Sequence, residues 1–292
     1  MASGASGQQP AARPAGPRQE RAIAVVTGGN KGIGFEIARG CIRAGFHVVI
    51  TARDRARGAQ AAEALGCELA LLDLDDAQSI RDCAQELAER FGGIDVLVNN
   101  ASMAYKHADQ TAWVVKTRQT VMTNFFGTLA VFRAFTDLVR PGGRIVTTAS
   151  SSGHLGGVPD RRLRGEFASA DGSLTTERLA ELLGQFVADV ELSPSRASAP
   201  APDWPHAAKG WPSNSYGMSK LGQVALTKIY ARLLAPRNIA VNCYCPGSVR
   251  TDMNPRGPRT AAQGADTAVW LACQPASAAT GQFFKERQAV AW

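Results

Sequence analysis

Apolar residues in this chain fall into short unbroken runs separated by amphipathic stretches. AIAVVT (22–27) has no polar alternation, which marks a strand buried on both faces. A glycine-rich turn follows, then FEIARGCIRAG at helical spacing. HVVITAR (47–53) predicts a second strand, and ARGAQAAEALG (56–66) a helix stopped by its glycine. ELALLDL (68–74) predicts a third strand, and SIRDCAQELAERFGG (79–93) a helix ending in Gly-Gly. IDVLVNNA (94–101) reads as a fourth strand, 121–139 as a long helix and RIVTTAS (144–150) as a fifth strand. Strands alternating with helices at this spacing predict parallel βαβ units.

The rhythm breaks over 151–213. One helix is predicted there, capped by Thr175 or Thr176, with Leu179, Leu182, Leu183, Phe186, Val187 and Val190 on one face. Five prolines between 193 and 213 predict irregular chain. The alternation resumes with a helix over 214–234, a strand over 239–247, a helix near 260–273 and a last strand around 282–290. Residues 21–292 are therefore expected to form one α/β domain around a doubly wound parallel sheet of about seven strands. The stretch 151–213 is an insertion within it. Residues 1–20, rich in Ala, Gly, Ser, Pro and Gln, predict a disordered tail with no apolar stretch of a secretory signal.

Lys and Arg number 32 against 25 Asp and Glu, a net charge of +7. That excess suits nucleic acid, an anionic surface or an anionic small molecule. No arginine-rich helix or aromatic-interleaved basic stripe supports nucleic acid. No apolar run approaches the roughly 20 residues of a membrane span. The six cysteines, at 41, 67, 83, 243, 245 and 273, show neither metal-ligand spacing nor a disulfide framework. Reduced thiols in a cytoplasmic protein, with no metal site, are the expectation.

The chemistry begins at Thr27-Gly28-Gly29-Asn30-Lys31-Gly32-Ile33-Gly34. Between a strand and a helix, glycines let the backbone approach a pyrophosphate, and the helix start offers free N–H groups. Gly28, Asn30, Lys31, Gly32, Ile33 and Gly34 are the expected contacts. An acid near the end of the second strand would favour NAD. Here that strand ends Thr51-Ala52-Arg53, with Arg57 four residues on. Lys31, Arg53 and Arg57 converging on a 2′-phosphate predict NADP(H).

Tyr216 and Lys220 share a helix face one turn apart. An ammonium there is expected to lower the phenol's pKa, suiting it to move a carbinol proton. With TGGNKGIG (27–34), Asn99-Asn100-Ala101, Asn124, Ser150 and Pro246-Gly247 in the same order, the chain resembles the short-chain dehydrogenase/reductase family over about 22–292. TARD (51–54), LDLDD (72–76), TNFFGT (123–128), GWPSNSYGMSK (210–220) and the long insertion resemble its monomeric carbonyl reductases and their plant terpenoid and alkaloid ketone-reducing relatives.

The resemblance implies a Rossmann-type fold and NADPH-dependent reduction of a ketone or aldehyde by a monomer. The alternatives are an NADP-dependent secondary-alcohol dehydrogenase and a non-catalytic NADP(H) sensor. Tyr216 would give the proton and Ser150 would hold the substrate oxygen. Lys220 would bind the nicotinamide ribose, and Asn124 would anchor a water that continues the relay. Asp73 and Leu74 would border the adenine, with Asn99 and Ala101 on the adenosine side. Pro246, Gly247, Val249 and Thr251 would close over the nicotinamide and phosphates, and 151–213 would cover the substrate cleft. Ser102 stands where the family pattern has Gly, and strains the turn if φ there is positive.

Overall fold

The computed structural model describes residues 21–106, 109–194, 197–275 and 279–292; the expected tail, 1–20, lies outside the described residues. The strands are β1 (Ile23–Val26), β2 (His47–Ala52), β3 (Glu68–Leu71), β4 (Ile94–Asn99), β5 (Val139–Thr148), β6 (Ala240–Cys245), β7 (Phe283–Lys285) and β8 (Gln288–Val290). They form one sheet in the order β3-β2-β1-β4-β5-β6-β7-β8. Pairing is parallel from β3 through β7 and antiparallel between β7 and β8. Strand order reverses between β1 and β4, so a crevice opens at their carboxyl ends, where ligands of such sheets sit.

Helices cover both faces, which is why the strands read as unbroken apolar runs. On one face lie α1 (Gly32–Arg43), α2 (Arg55–Leu65) and α10 (Ala261–Ala272). On the other lie α3 (Ala77–Phe91), α4 (Trp113–Val121), α5 (Thr128–Phe135) and α9 (Ser215–Leu233). Local chemistry sets their ends. Asp54 accepts from the backbone N–H of Arg57 and caps α2, and Asp76 does the same for α3 through Gln78 and Ser79. Asp54 is thus a helix cap rather than an acid facing a ribose.

Four expectations change. The last stretch is a hairpin, so the sheet has eight strands rather than about seven. Its turn residues Glu286 and Arg287 both have positive φ, at 51° and 63°, without the Gly or Asn that normally announces such a turn. The third strand stops at Leu71, leaving Asp73 and Leu74 in the turn beyond it. The long central helix starts earlier, at Trp113, and its middle turn, Met122–Gly127, is π-helical. The insertion holds α6 (Arg161–Ala168) and a short α8 (Pro205–Ala208) besides the expected helix, α7 (Thr176–Glu191).

Thr175 caps α7, and its six predicted apolar residues are buried. They pack against α4 and α9, on the outside of the sheet-covering layer. The proline-rich arm after α7 is irregular but fastened. Asp189, 3% exposed, accepts from Lys209 Nζ at 2.5 Å and Trp211 Nε1 at 2.8 Å. Arg164, one of the insertion's arginines, braces the chain through the carbonyls of Val158 and Pro159 rather than standing free in solvent.

Candidate active site

The crevice is held open by one threonine. Thr27 Oγ1 accepts from the backbone N–H groups of Asn100 and Ala101, both at 3.0 Å, joining the ends of β1 and β4. Asn100 Nδ2 answers by donating to the carbonyls of Thr27 and Gly28. A side-chain carbon on Gly28, at φ 64°, would lie 3.0 Å from Ala101 Cα. One on Gly34 would lie 2.3 Å from the Gly28 carbonyl oxygen. The turn therefore requires glycine at both positions to bring α1 down onto the end of β4.

These residues fit a dinucleotide. Lys31 precedes α1 and makes no side-chain cap, so the first-turn N–H donors, those of Gly32, Ile33 and Gly34, are free to meet a phosphate. Asn30 is half-buried beside them. Asn99 is 4% exposed, yet neither its Nδ2 nor its Oδ1 has a partner. A buried carboxamide in that condition suits a polar ligand group supplied from outside the chain. Arg53 and Arg57 are exposed at the end of β2, and Arg57 lies 3.8 Å from Asp54. Lys31 is not free; it pairs with Asp252 at 2.6 Å across the crevice. That lysine, with Lys106 and Arg57 nearby, holds the Asp252 carboxyl below its ordinary range.

The far wall is the segment after β6. Gly247 has φ 79°, Val249 is buried and bridges Arg259, and Thr251 lies over Gly32. Thr251 thus meets the α1 turn, Val249 packs with Ile33 around Gly264, and Gly247 lies against Arg259. Asp73 and Leu74 are half-buried after β3, beside the π-helical turn.

The expected reacting groups lie at the end of β5 and the start of α9. Ser150 ends β5's extension and opens a single 3-10 turn, its Oγ accepting from Ser152 N–H at 3.1 Å. Ser151 N–H donates to Cys245 Sγ at 3.3 Å, so this buried thiol fixes the turn that carries Ser150. Burial pushes the Tyr216 phenol up to about 12, Cys245 adds to this, and a hydrogen bond with Ser150 opposes it. Lys220 Nζ lies 5.6 Å from the centre of the Tyr216 ring. Burial pulls its ammonium down to about 7. Burial thus outweighs the expected lowering of Tyr216 by Lys220. Desolvation dominates both groups.

Asn124 sits in the π-helical turn and is fully buried. Its side chain is committed to Met103, whose backbone N–H donates to Oδ1 at 2.7 Å and whose carbonyl accepts at 2.9 Å, and to Ser219. Its backbone carbonyl accepts from Thr128 Oγ1 at 2.6 Å and Gln223 Nε2 at 2.8 Å. Two side-chain donors thus meet the carbonyl at which the relay water was expected.

Ser102 and Gln223 went unassigned in the sequence, yet both hold Lys220. Ser102 is not among the residues with positive φ, so the turn is unstrained there. Its hydroxyl accepts from Lys220 Nζ at 2.7 Å. Gln223 was legible as one of four polar residues, Tyr216, Lys220, Gln223 and Thr227, recurring on one face of α9. Ser102 gave no such signal, because it lies 118 residues from its partner.

All six cysteines are unpaired. Among the described residues no cluster of His, Cys, Asp and Glu could hold a metal, and no helix is long and apolar enough to cross a membrane.

Comparison with known proteins agrees with this geometry. The model of the short chain dehydrogenase family matches residues 22–159, and one described as enoyl-(acyl carrier protein) reductase matches 205–285. The chain is 40% identical over 285 residues to carbonyl reductase [NADPH] 1 of Bos taurus, covering 92% of this chain and 98% of the relative. It superimposes on salutaridine reductase from Papaver somniferum with a TM-score of 0.79 at 28% identity, covering 90% and 99% of the two chains. Menthone neomenthol reductase from Mentha piperita gives a TM-score of 0.75 at 26% identity, covering 90% and 98%.

Proposed function

This chain belongs to the short-chain dehydrogenase/reductase family, and on that footing we propose that it reduces a ketone or aldehyde to an alcohol with Tyr216 as proton donor. It is an NADPH-dependent oxidoreductase of the carbonyl-reducing kind. The bound cofactor supplies the hydride. The chain's own residues hold the carbonyl and furnish the proton.

The observation that carries the reading is the placing of Tyr216 beside Lys220 and against the Ser150 turn, where β4 and β5 end. With its pKa pushed up to about 12, Tyr216 is an acid at neutral pH. It donates to an alkoxide as charge develops on the substrate oxygen. The Ser150 hydroxyl, on the turn fastened by Cys245, shares that oxygen and fixes the carbonyl's orientation. Asn99, the uncapped start of α1 and the cations Arg53 and Arg57 are the residues that would hold NADPH. Lys31 joins them by exchanging Asp252 for phosphate. Asp73 and Leu74 border the adenine, and the segment from Pro246 to Thr251 covers the other side. The insertion, 151–213, walls the substrate side of the crevice, and the chain works as a monomer.

Tyr216→Phe tests this directly. NADPH oxidation with a panel of carbonyl compounds should fall by about two to four orders of magnitude, the range of a lost general acid. NADPH binding, followed by fluorescence, should persist. A variant that keeps more than about a tenth of the wild-type rate would remove Tyr216 from the chemistry.

A further inference from the structure

Lys220 Nζ carries three protons and finds three acceptors within the chain. They are Ser102 Oγ at 2.7 Å, Gln223 Oε1 at 2.8 Å and the Thr148 carbonyl at 2.9 Å. The three differ in what they can do next. A carbonyl oxygen only accepts, so Thr148 ends its branch. Gln223 also ends its branch. Its Nε2 donates to the Asn124 carbonyl and to Thr128 Oγ1, both at 2.8 Å, so its carboxamide fills the gap between Lys220 and Asn124. An amide passes no proton without changing tautomer. Ser102 alone has a hydroxyl, which accepts and donates at once. It is also the acceptor with access to solvent. Ser102 is half-buried, whereas Lys220 and Gln223 are each 1% exposed and Thr148 is 7% exposed.

We propose that Ser102 is the residue through which Lys220 regains its protons from solvent, and that Gln223 stands in for a relay water and closes the route toward Asn124. The proposal rests on the reductase reading above. In each turnover the Tyr216 O–H bond breaks toward the substrate oxygen. Lys220 Nζ lies 5.6 Å from the centre of the Tyr216 ring, so one of its N–H protons leaves its acceptor and makes good the loss by way of a water between the two groups. The neutral amine then takes the Ser102 hydroxyl proton while the Ser102 oxygen takes one from water. Every residue ends as it began, and the solvent has lost one proton. A lysine pulled down to about 7 gives up and regains a proton readily near neutral pH.

Four proteins test it: wild type, Ser102→Ala, Ser102→Thr and the double variant Ser102→Ala/Gln223→Ala. Ser102→Ala should lower kcat for carbonyl reduction by about tenfold or more, raise the solvent deuterium isotope effect, and leave KM for NADPH within about threefold. Ser102→Thr keeps the hydroxyl and should stay within about threefold of wild type. Removing the Gln223 carboxamide leaves a space lined by Lys220 Nζ, the Asn124 carbonyl and Thr128 Oγ1, enough polar partners to hold a water. The double variant should therefore be about threefold or more faster than Ser102→Ala, where independent defects would make it slower. Ser102→Ala within about twofold of wild type, or a double variant no faster than Ser102→Ala, overturns the proposal.

Crystal structures of the wild type and of Gln223→Ala give a readout that needs no turnover. The carboxamide should separate Lys220 from Asn124 in the first, and a water should do so in the second. An ordered water between them in the wild type overturns the proposal. Failure of the reductase reading looks different: wild-type protein that reduces no carbonyl, or Tyr216→Phe at the wild-type rate, sinks that reading and the relay with it. The crystal structures still decide where Gln223 sits.

Discussion

Lys31, Arg53 and Arg57 stand at the mouth of the crevice with unequal freedom. Lys31 is paired with Asp252, and Arg57 is drawn toward Asp54, while Arg53 makes no ion pair among the described residues. A 2′-phosphate would meet Arg53 with nothing to displace and Lys31 only by exchange for Asp252. Arg53→Ala/Arg57→Ala should therefore weaken NADPH by about 10- to 100-fold, the worth of one or two charge-assisted hydrogen bonds. NADH should change by less than about threefold, since it lacks the phosphate those bonds serve. Titration of both cofactors checks this, and equal losses would refute it. The cations and the Tyr216–Lys220 pair were legible because each follows from a local pattern, a strand end or an i, i+4 spacing. What Lys220 actually touches was not. Ser102 and Thr148 reach it from the ends of β4 and β5, and only the assembled sheet brings three segments to one ammonium. The burial of the phenol was not legible for a related reason: spacing reports the neighbouring charge but not the depth at which it lies.

Strands and helices with strong periodicity appeared where the sequence put them, and those without it did not. The insertion's main helix, α7, follows from six apolar residues on one face. α6 escaped notice because it buries only Leu163 and Phe167 among three arginines, although its capping residue Asp160 accepts from Leu163 N–H at 2.8 Å. The closing hairpin escaped because Glu286 and Arg287 are poor residues for left-handed backbone. The π-helical turn has no sequence signature, yet it frees the Asn124 carbonyl for Thr128 and Gln223. One carboxylate fastens the arm after α7, beside the packing of Trp204 and His206 on Trp113. Burial pushes the Asp189 carboxyl up, but hydrogen bonds from Lys209, Trp211 and Gln185 outweigh this and leave it below its ordinary range. A carboxylate depressed in this way stabilises the fold above its unfolded pKa, near 4, and loses that contribution as pH falls through the folded value. Asp189→Asn should destabilise by about 1.5–3 kcal/mol at neutral pH, the worth of hydrogen bonds to a charge. The difference from wild type should shrink below about pH 4. Denaturant melts at pH 7 and pH 3 measure both; a pH-independent difference would show that packing, and not the charge, holds the arm.

Helices that cover a parallel sheet normally leave their outer faces for water or for another subunit. Here the chain covers its own. α7 lies across α4 and α9 with Leu179, Leu182, Leu183 and Phe186 between them, and the arm that follows is bolted to α7 through Asp189. The sheet's far edge is closed by β8, which is only three residues long and fully exposed, too short to template another chain. The large apolar side chains left exposed among the described residues are Val115, Met122, Leu192, Leu233, Met253 and Val290. Val115 and Met122 lie on the long central helix, and the other four come from separate elements and loops. The molecule should therefore sediment as a single 30.9 kDa species at micromolar concentration. A dimer under those conditions would mean that two chains associate through a face other than the one α7 covers. The same packing changes what loss of the insertion should do. A chain shortened across 160–205 would uncover the apolar faces of α4 and α9 together, so it should self-associate or precipitate before any change in substrate range could be measured. If the shortened chain instead stays monomeric and folded by circular dichroism, α7 is an ornament of the substrate side, and the monomeric state must be traced to the sheet edge alone.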